Sequence, residues 1–140
     1  MSIVDVDYLK KPKAMSTEIK GIYDLMKEDA NGRIKKATIF HNRLFLEGGG
    51  RERNELMLRL GSTGDGNLII ARLAFINQRQ GYGTRLLELL TNLARKEGYI
   101  SLGIECVHTD EMESFARKNG FEQVISPFSF GSETNWIKKI

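Results

Sequence analysis

LIIARLAFI (residues 68–76), NQRQGYGT (77–84) and RLLELLTNLARKEG (85–98) follow one another without a break, and this stretch decides the fold. The first segment is rich in branched apolar side chains, interrupted only by Arg72, and reads as an interior β-strand. In the third, Leu86, Leu87, Leu90, Leu93 and Ala94 recur at helical spacing and lay one apolar stripe along an α-helix. Arg95 and Lys96 fall in its last turn, where positive charge suits the helix dipole, and Gly98 is the expected stop. Between strand and helix, Gly81 and Gly83 flank Tyr82. The first N–H groups of a helix have no partner inside it and point outward as anion ligands. A glycine beside them lets an anion approach the backbone without meeting a Cβ atom. The stretch therefore predicts a strand, a phosphate-binding turn and a helix in succession. A plain strand–helix connector is the competing reading of the same two glycines.

Two familiar phosphate signatures are excluded. A P-loop ends in Gly-Lys-Ser or Gly-Lys-Thr, whereas Gly83 is followed by Thr84 and Arg85. The dinucleotide fingerprint needs a third glycine where this chain has Leu86. What fits is Gln78-Arg79-Gln80-Gly81-Tyr82-Gly83, which resembles the (Gln/Arg)-x-x-Gly-x-(Gly/Ala) motif of the GNAT superfamily, the acyl-CoA-dependent N-acyltransferases. A helix, the strand Ser101–Val107, a second helix from about Asp110, and Lys118-Asn119-Gly120-Phe121 are similar to that family's continuation after the motif. The resemblance spans residues 67–126.

It implies a mixed α/β (α+β) fold in one domain, with a mostly antiparallel sheet flanked by helices around a central strand–phosphate turn–helix unit. It also implies acetyl-CoA as cosubstrate and a primary amine, on a small molecule or a protein, as acceptor. The pyrophosphate would sit on the backbone from Arg79 to Thr84, through Gln80, Gly81, Tyr82 and Gly83, helped by the Arg79 side chain and the Thr84 hydroxyl. Gln78 opens the motif. The pantetheine arm would pair with the end of the central strand, from Leu73 to Phe75, where the family's strands splay and leave N–H groups that polarise the acyl carbonyl. Asp110 or a neighbour corresponds to the helix-start residue that touches this arm. Three departures accompany the match, one of them a turn before Gln78 that is shorter than is common in the family. The tyrosine that protonates the departing thiolate corresponds to Ala116, preceded by Phe115, and the spacing from Asp110 is one residue short.

The base that receives the amine proton has two candidates. Glu105 lies on the strand after the cradle, and an inner-strand carboxylate needs a partner or a role. Catalysis competes there with an outward edge position or an ion pair to Arg72. His108 follows the strand and titrates near neutrality, with an ordinary surface loop residue as the alternative. Cys106 alternates with Leu102 and Ile104 and reads as a small buried hydrophobe rather than a nucleophile. No His, Cys and carboxylate cluster has ligand spacing, so no metal is expected.

Elsewhere, Ile3 to Tyr8 suits a short first strand, and Ser16 or Thr17 caps a helix that places Ile19, Ile22, Tyr23 and Met26 on one face and ends at Asn31-Gly32. Ala37–Phe40 and Leu44–Leu46 form a hairpin about His41-Asn42. Gly48 to Asn54 reads as a flexible charged loop, and Leu56, Leu58 and Leu60 mark a half-buried strand. Phe121–Ile125 and Thr134–Lys139 are closing strands. Phe128 and Phe130 lie between them, and Trp136 sits in the core or an interface.

The chain has 140 residues, 41% of them hydrophobic and 28% charged, which suits one globular domain. The net charge of +3 is dispersed among acids, which speaks against a nucleic-acid footprint. A single cysteine, the absence of an apolar run of roughly 18 residues, and acids near the N-terminus predict a cytoplasmic protein without a membrane anchor. A monomer and a homodimer through sheet edges both suit the pattern. Besides the acetyltransferase, a catalytically silent acyl-CoA-binding module and a small interaction protein remain open.

Overall fold

A computed structural model of the chain describes residues 17–40, 43–59, 66–78, 80–105, 109–124 and 135–140. Helix α1 (Thr17–Asp29) buries Ile22, Tyr23, Leu25 and Met26 and ends at left-handed Asn31 and Gly32, with the Gly32 N–H donating to the Lys27 carbonyl at 2.8 Å. Three antiparallel strands follow, β1 (Ile34–Phe40), β2 (Arg43–Gly49) and β3 (Arg53–Arg59), and then β4 (Asn67–Ala74). Helix α2 (Tyr82–Lys96) carries the chain to β5 (Ser101–Ile104), which lies parallel to β4. Helix α3 (Asp110–Lys118), β6 (Glu122–Val124) and β7 (Asn135–Lys139) complete the described elements. The strands form one sheet in the order β1-β2-β3-β4-β5-β7-β6, and β4–β5 is its parallel pair. This is the mixed, mostly antiparallel sheet with flanking helices that the sequence predicts.

The core follows the sequence pattern. Leu86, Leu87, Leu90, Leu93 and Ala94 of α2 are buried, together with Leu44, Leu46, Leu56, Leu58, Leu68 and Ile70 from the sheet. Trp136 belongs to the same cluster, under the Arg117 guanidinium at 5.0 Å from its ring centre. Burial of apolar area of this kind is the main favourable term of the fold.

Several expectations need correction. The segment Gly48 to Asn54 is not a loop: Gly48 and Gly49 finish β2, Arg53 and Asn54 begin β3, and the pairs Gly48↔Asn54 and Gly49↔Arg53 leave only residues 50–52 to turn the chain. Gly49 makes this possible with φ 97°, which an L side chain rarely adopts. The central strand stops at Ala74 rather than Ile76, because the next amides leave the ladder for a side chain. Strand β5 is described only to Ile104. Ile3 to Tyr8, the His41-Asn42 turn, Leu60, Cys106, Phe128 and Phe130 lie outside the described residues.

Candidate functional site

A gap in the sheet builds the first half of the site. Strand β4 pairs with β3 as far as Ala74, but with β5 only as far as Ile70↔Ile104, and the Glu105 N–H makes the last bond, to the Ile70 carbonyl at 3.0 Å. Ala71 is a β-bulge, since Met57 faces Arg72 while the adjacent Leu58 faces Ile70. A bulge bends its strand and increases the local twist, which carries the end of β4 away from β5. Beyond Ile70, no described strand pairs with the β5-facing edge of β4. A cleft of about 390 Å³ opens there, lined among others by Glu55, Arg72, Leu73, Glu105, Thr109 and Met112.

The start of α2 builds the second half. Gly81 precedes the helix in the left-handed conformation (φ 78°, ψ 7°), no side chain caps the helix, and its first turn contains no acid. The N–H groups of Tyr82, Gly83 and Thr84 therefore lack intrahelical partners. Among the described residues, a Cβ atom added to Gly81 would meet nothing within 4 Å, so none of them fills the space beside these donors. Gly83 has a different reason. A Cβ there would lie 2.6 Å from Phe115 Cε2, so the second glycine of the motif admits the ring of α3 against α2.

Tyr82 stacks on Phe75 at 5.8 Å between ring centres, and the Arg85 guanidinium lies 5.5 Å from the Tyr82 ring centre. Partial burial, the nearby carboxylates of Glu28 and Asp29, and a hydrogen bond to Glu28 raise its phenol pKa, against a smaller opposing effect of Arg85. Arg85 itself pairs with Glu28 at 2.7 Å.

The site residues expected from the sequence fall into groups. Leu73 lines the cleft, and Phe75 and Tyr82 join the cleft end of β4 to the helix start. Gln78, Gln80, Gly81 and Thr84 are exposed around the turn, while Arg79 and His108 lie outside the described residues. Glu105 lines the cleft, but its ion pair is with Arg59 at 2.8 Å and not with Arg72. The reason is the register: β3 and β5 flank β4 on opposite sides, and Arg59 of β3 reaches across β4. Asp110 is exposed on the first turn of α3, while its neighbours Thr109 and Met112 line the cleft. Thr109 caps α3 by accepting the Met112 N–H at 3.2 Å. Ala116 is fully buried.

Sequence reasoning did not single out Glu55, Arg59 or Asp29. The period-2 pattern around Leu56 and Leu58 assigns Glu55 and Arg59 to the opposite face, and pairing with β4 then brings Glu55 opposite Ala74. Among the described residues, no group of three or more His, Cys, Asp or Glu side chains is placed to hold a metal ion. Among the same residues, no helix is long and apolar enough to cross a membrane.

No protein-family model matches the sequence, and no curated protein matches it. Solved structures do. The PaiA N-acetyltransferase of Thermoplasma acidophilum, in complex with coenzyme A, aligns over 91% of this chain and 70% of its own, with a TM-score of 0.53 at 19% identity. The chain has the GNAT fold. An aminoglycoside 6'-acetyltransferase type Ii aligns over 70% of this chain and 69% of its own, with a TM-score of 0.51 at 17% identity. RimL, a ribosomal L7/L12 α-N-protein acetyltransferase, aligns over 87% and 67%, with a TM-score of 0.52 at 16% identity. At these identities the likeness carries the GNAT architecture. The acceptors named for these proteins differ from one another, as expected when a fold hosts many substrates.

Proposed function

We propose that the protein is an N-acetyltransferase that moves the acetyl group of acetyl-CoA to a primary amine. The observation that carries this reading is the open edge of β4 beyond the Ala71 bulge, which faces the cleft and ends at the uncapped start of α2. The open space over Gly81 fits a phosphate group, and the amide edge fits an arm that carries amide groups of its own. The N–H groups of Tyr82, Gly83 and Thr84 hold the pyrophosphate, and the edge near Leu73 orients the thioester and polarises its carbonyl. Holding both reactants in the cleft supplies proximity, a large effect that asks little of side chains.

The amine nitrogen forms the new C–N bond as the C–S bond breaks. The amine proton passes to Glu105, directly or through water, with Arg59 orienting the carboxylate, and a proton returns to the sulfur. Glu55 is the second carboxylate of the cleft. A silent acyl-CoA-binding module is the alternative that one observation favours, because fully buried Ala116 offers no hydroxyl to the sulfur.

Titration calorimetry with acetyl-CoA and CoA, before and after Gly81→Glu, tests the reading. Micromolar binding abolished by the substitution is expected, followed by thiol release in an amine screen. Binding without turnover on any amine favours the silent module. Absence of binding by the intact protein removes the cofactor and the activity with it.

A further inference from the structure

Asp29 closes α1 far in sequence from the cradle, yet its fully buried carboxylate is built into the turn that leads there. Oδ2 accepts the Ile76 N–H at 2.8 Å and Asn54 Nδ2 at 2.8 Å, while Oδ1 accepts the Asn77 N–H at 2.8 Å and Asn77 Nδ2 at 3.2 Å. The Asn77 amide also donates to the Asp29 carbonyl at 3.0 Å, and Asn54 Nδ2 to the Met26 carbonyl at 2.9 Å. Each of these partners of the carboxylate is a neutral N–H donor, matching a group that only accepts. Burying such a group is costly unless its bonds are complete, and here they go to the two amides that leave the β4 ladder. The glycines at the end of β2 lie close beside this network as well as against neighbouring backbone: a Cβ on Gly48 would stand 2.7 Å from the Arg33 carbonyl oxygen, 2.9 Å from Asn54 Oδ1 and 2.9 Å from Ala30 Cβ, and one on Gly49 would collide with the Glu52 carbonyl oxygen and stand 2.9 Å from Ile76 Cδ1.

We propose that Asp29 is the positioning residue of the phosphate cradle: it fixes the Ile76–Asn77 turn, and so sets where Gly81 and the first turn of α2 stand relative to the open edge of β4. The proposal rests on the cofactor reading above for its second half. Charge and position predict opposite signs. The carboxylate of Asp29 is felt at Tyr82, inside the cradle, where negative charge opposes a polyanion. By charge alone, Asp29→Asn tightens CoA binding. By positioning it weakens binding, because an amide NH₂ then confronts N–H donors in place of an acceptor.

The test combines amide hydrogen exchange of the ligand-free protein with CoA calorimetry, on wild type, Asp29→Asn and Asn77→Ala. Asn77 is exposed, so its truncation spares the core while removing the side-chain arm of the network. Expected for Asp29→Asn is exchange at least about tenfold faster across residues 75–81, unchanged protection in the buried stretch of α2, and CoA binding weaker by about tenfold or more. Asn77→Ala is expected to shift both readouts the same way by a smaller factor. Unchanged exchange at the turn overturns the proposal, and so does faster exchange throughout, which would mark an ordinary structural residue. Local loosening with equal or tighter CoA binding also overturns it. If the wild type binds no CoA, the cofactor reading fails, and the exchange data still decide whether Asp29 fixes the turn.

Discussion

Gly83→Ala separates two reasons for the second glycine of the motif. Gly83 is the second residue of α2 and has no positive φ, so its backbone accepts alanine, and helix propensity alone favours the change by up to about 1 kcal/mol. Against this stands the ring of Phe115, whose Cε2, Cδ2 and Cζ would lie 2.6, 3.3 and 3.5 Å from the new methyl. An aromatic ring packed between two helices cannot yield as a flexible chain end does, and overpacking of this kind costs roughly 1–3 kcal/mol. The net expectation is a loss of about 1 kcal/mol, or a fall in melting temperature of roughly 4 °C for a domain of this size. With Phe115→Ala already present the obstacle is gone, and the same step should stabilise by up to about 1 kcal/mol. Thermal or urea unfolding of the four proteins in the cycle reads this sign reversal as a coupling of more than about 1 kcal/mol. Equal destabilisation in both backgrounds would refute the packing argument. CoA titration of the same proteins tests the other reason, bare backbone for the ligand. If the pyrophosphate needs it at Gly83, the double variant binds more weakly than Phe115→Ala alone. If only the ring needs it, the two bind alike.

Two further outcomes are expected. Once an acceptor is found, Glu105→Gln should lower kcat/KM by about 100-fold or more and flatten the acidic limb of its pH profile, whereas Glu55→Gln should keep that limb. An unchanged limb in Glu105→Gln would transfer the base role elsewhere. Because folding raises the phenol pKa of Tyr82, the unfolded chain releases this proton first as pH rises. Its stabilising contribution is complete below about pH 10 and is lost above it, so the urea midpoint of wild type should fall more steeply than that of Tyr82→Phe between about pH 9 and 11. Parallel declines would show that the shift has no part in stability.

Most of the fold was legible because it is written in periodicity. The α2 stripe, the meander and the strand before the cradle each declare themselves within a dozen residues, and burial followed the α2 stripe residue by residue, whereas in β4 only Leu68 and Ile70 are buried and Ala74 is exposed. The candidate site was legible where a local motif marks it, at Gly81 and the helix start, and where the resemblance pointed, at the Leu73 end of the central strand. The Ala71 bulge was not, since Ala71 has no unusual side chain and the bulge exists only in the register between β3 and β4. The Asp29 network was hidden for a related reason. Its bonds join residues 47 and 48 positions apart, and no window of sequence contains both ends. The run Gly48-Gly49-Gly50 was the available sign. Read as flexibility it pointed to a loop, while read as clearance it points to a backbone that something must approach closely.

The described backbone between Ala71 and Thr84, Arg79 excepted, presents three sets of donors. Amides near Leu73 face the open cleft, those of Ile76 and Asn77 are tied down by Asp29, and those opening α2 face solvent. The middle set is satisfied so that the outer two keep a fixed separation while staying open. A ligand that engages both outer sets needs acceptors of amide or carbonyl type at one end and an anion at the other, which describes the pantetheine and pyrophosphate portions of CoA. Such a site is made of main chain, and main-chain donors survive replacement of the side chains around them. Proton transfer in the proposed site has no such protection: it depends on side chains, and Ala116 is one of the places where this chain departs from the pattern. The same division predicts which half fails first under substitution. Changes at Glu105 or Arg59 act on turnover and spare CoA affinity, while changes at Asp29 act on CoA affinity first.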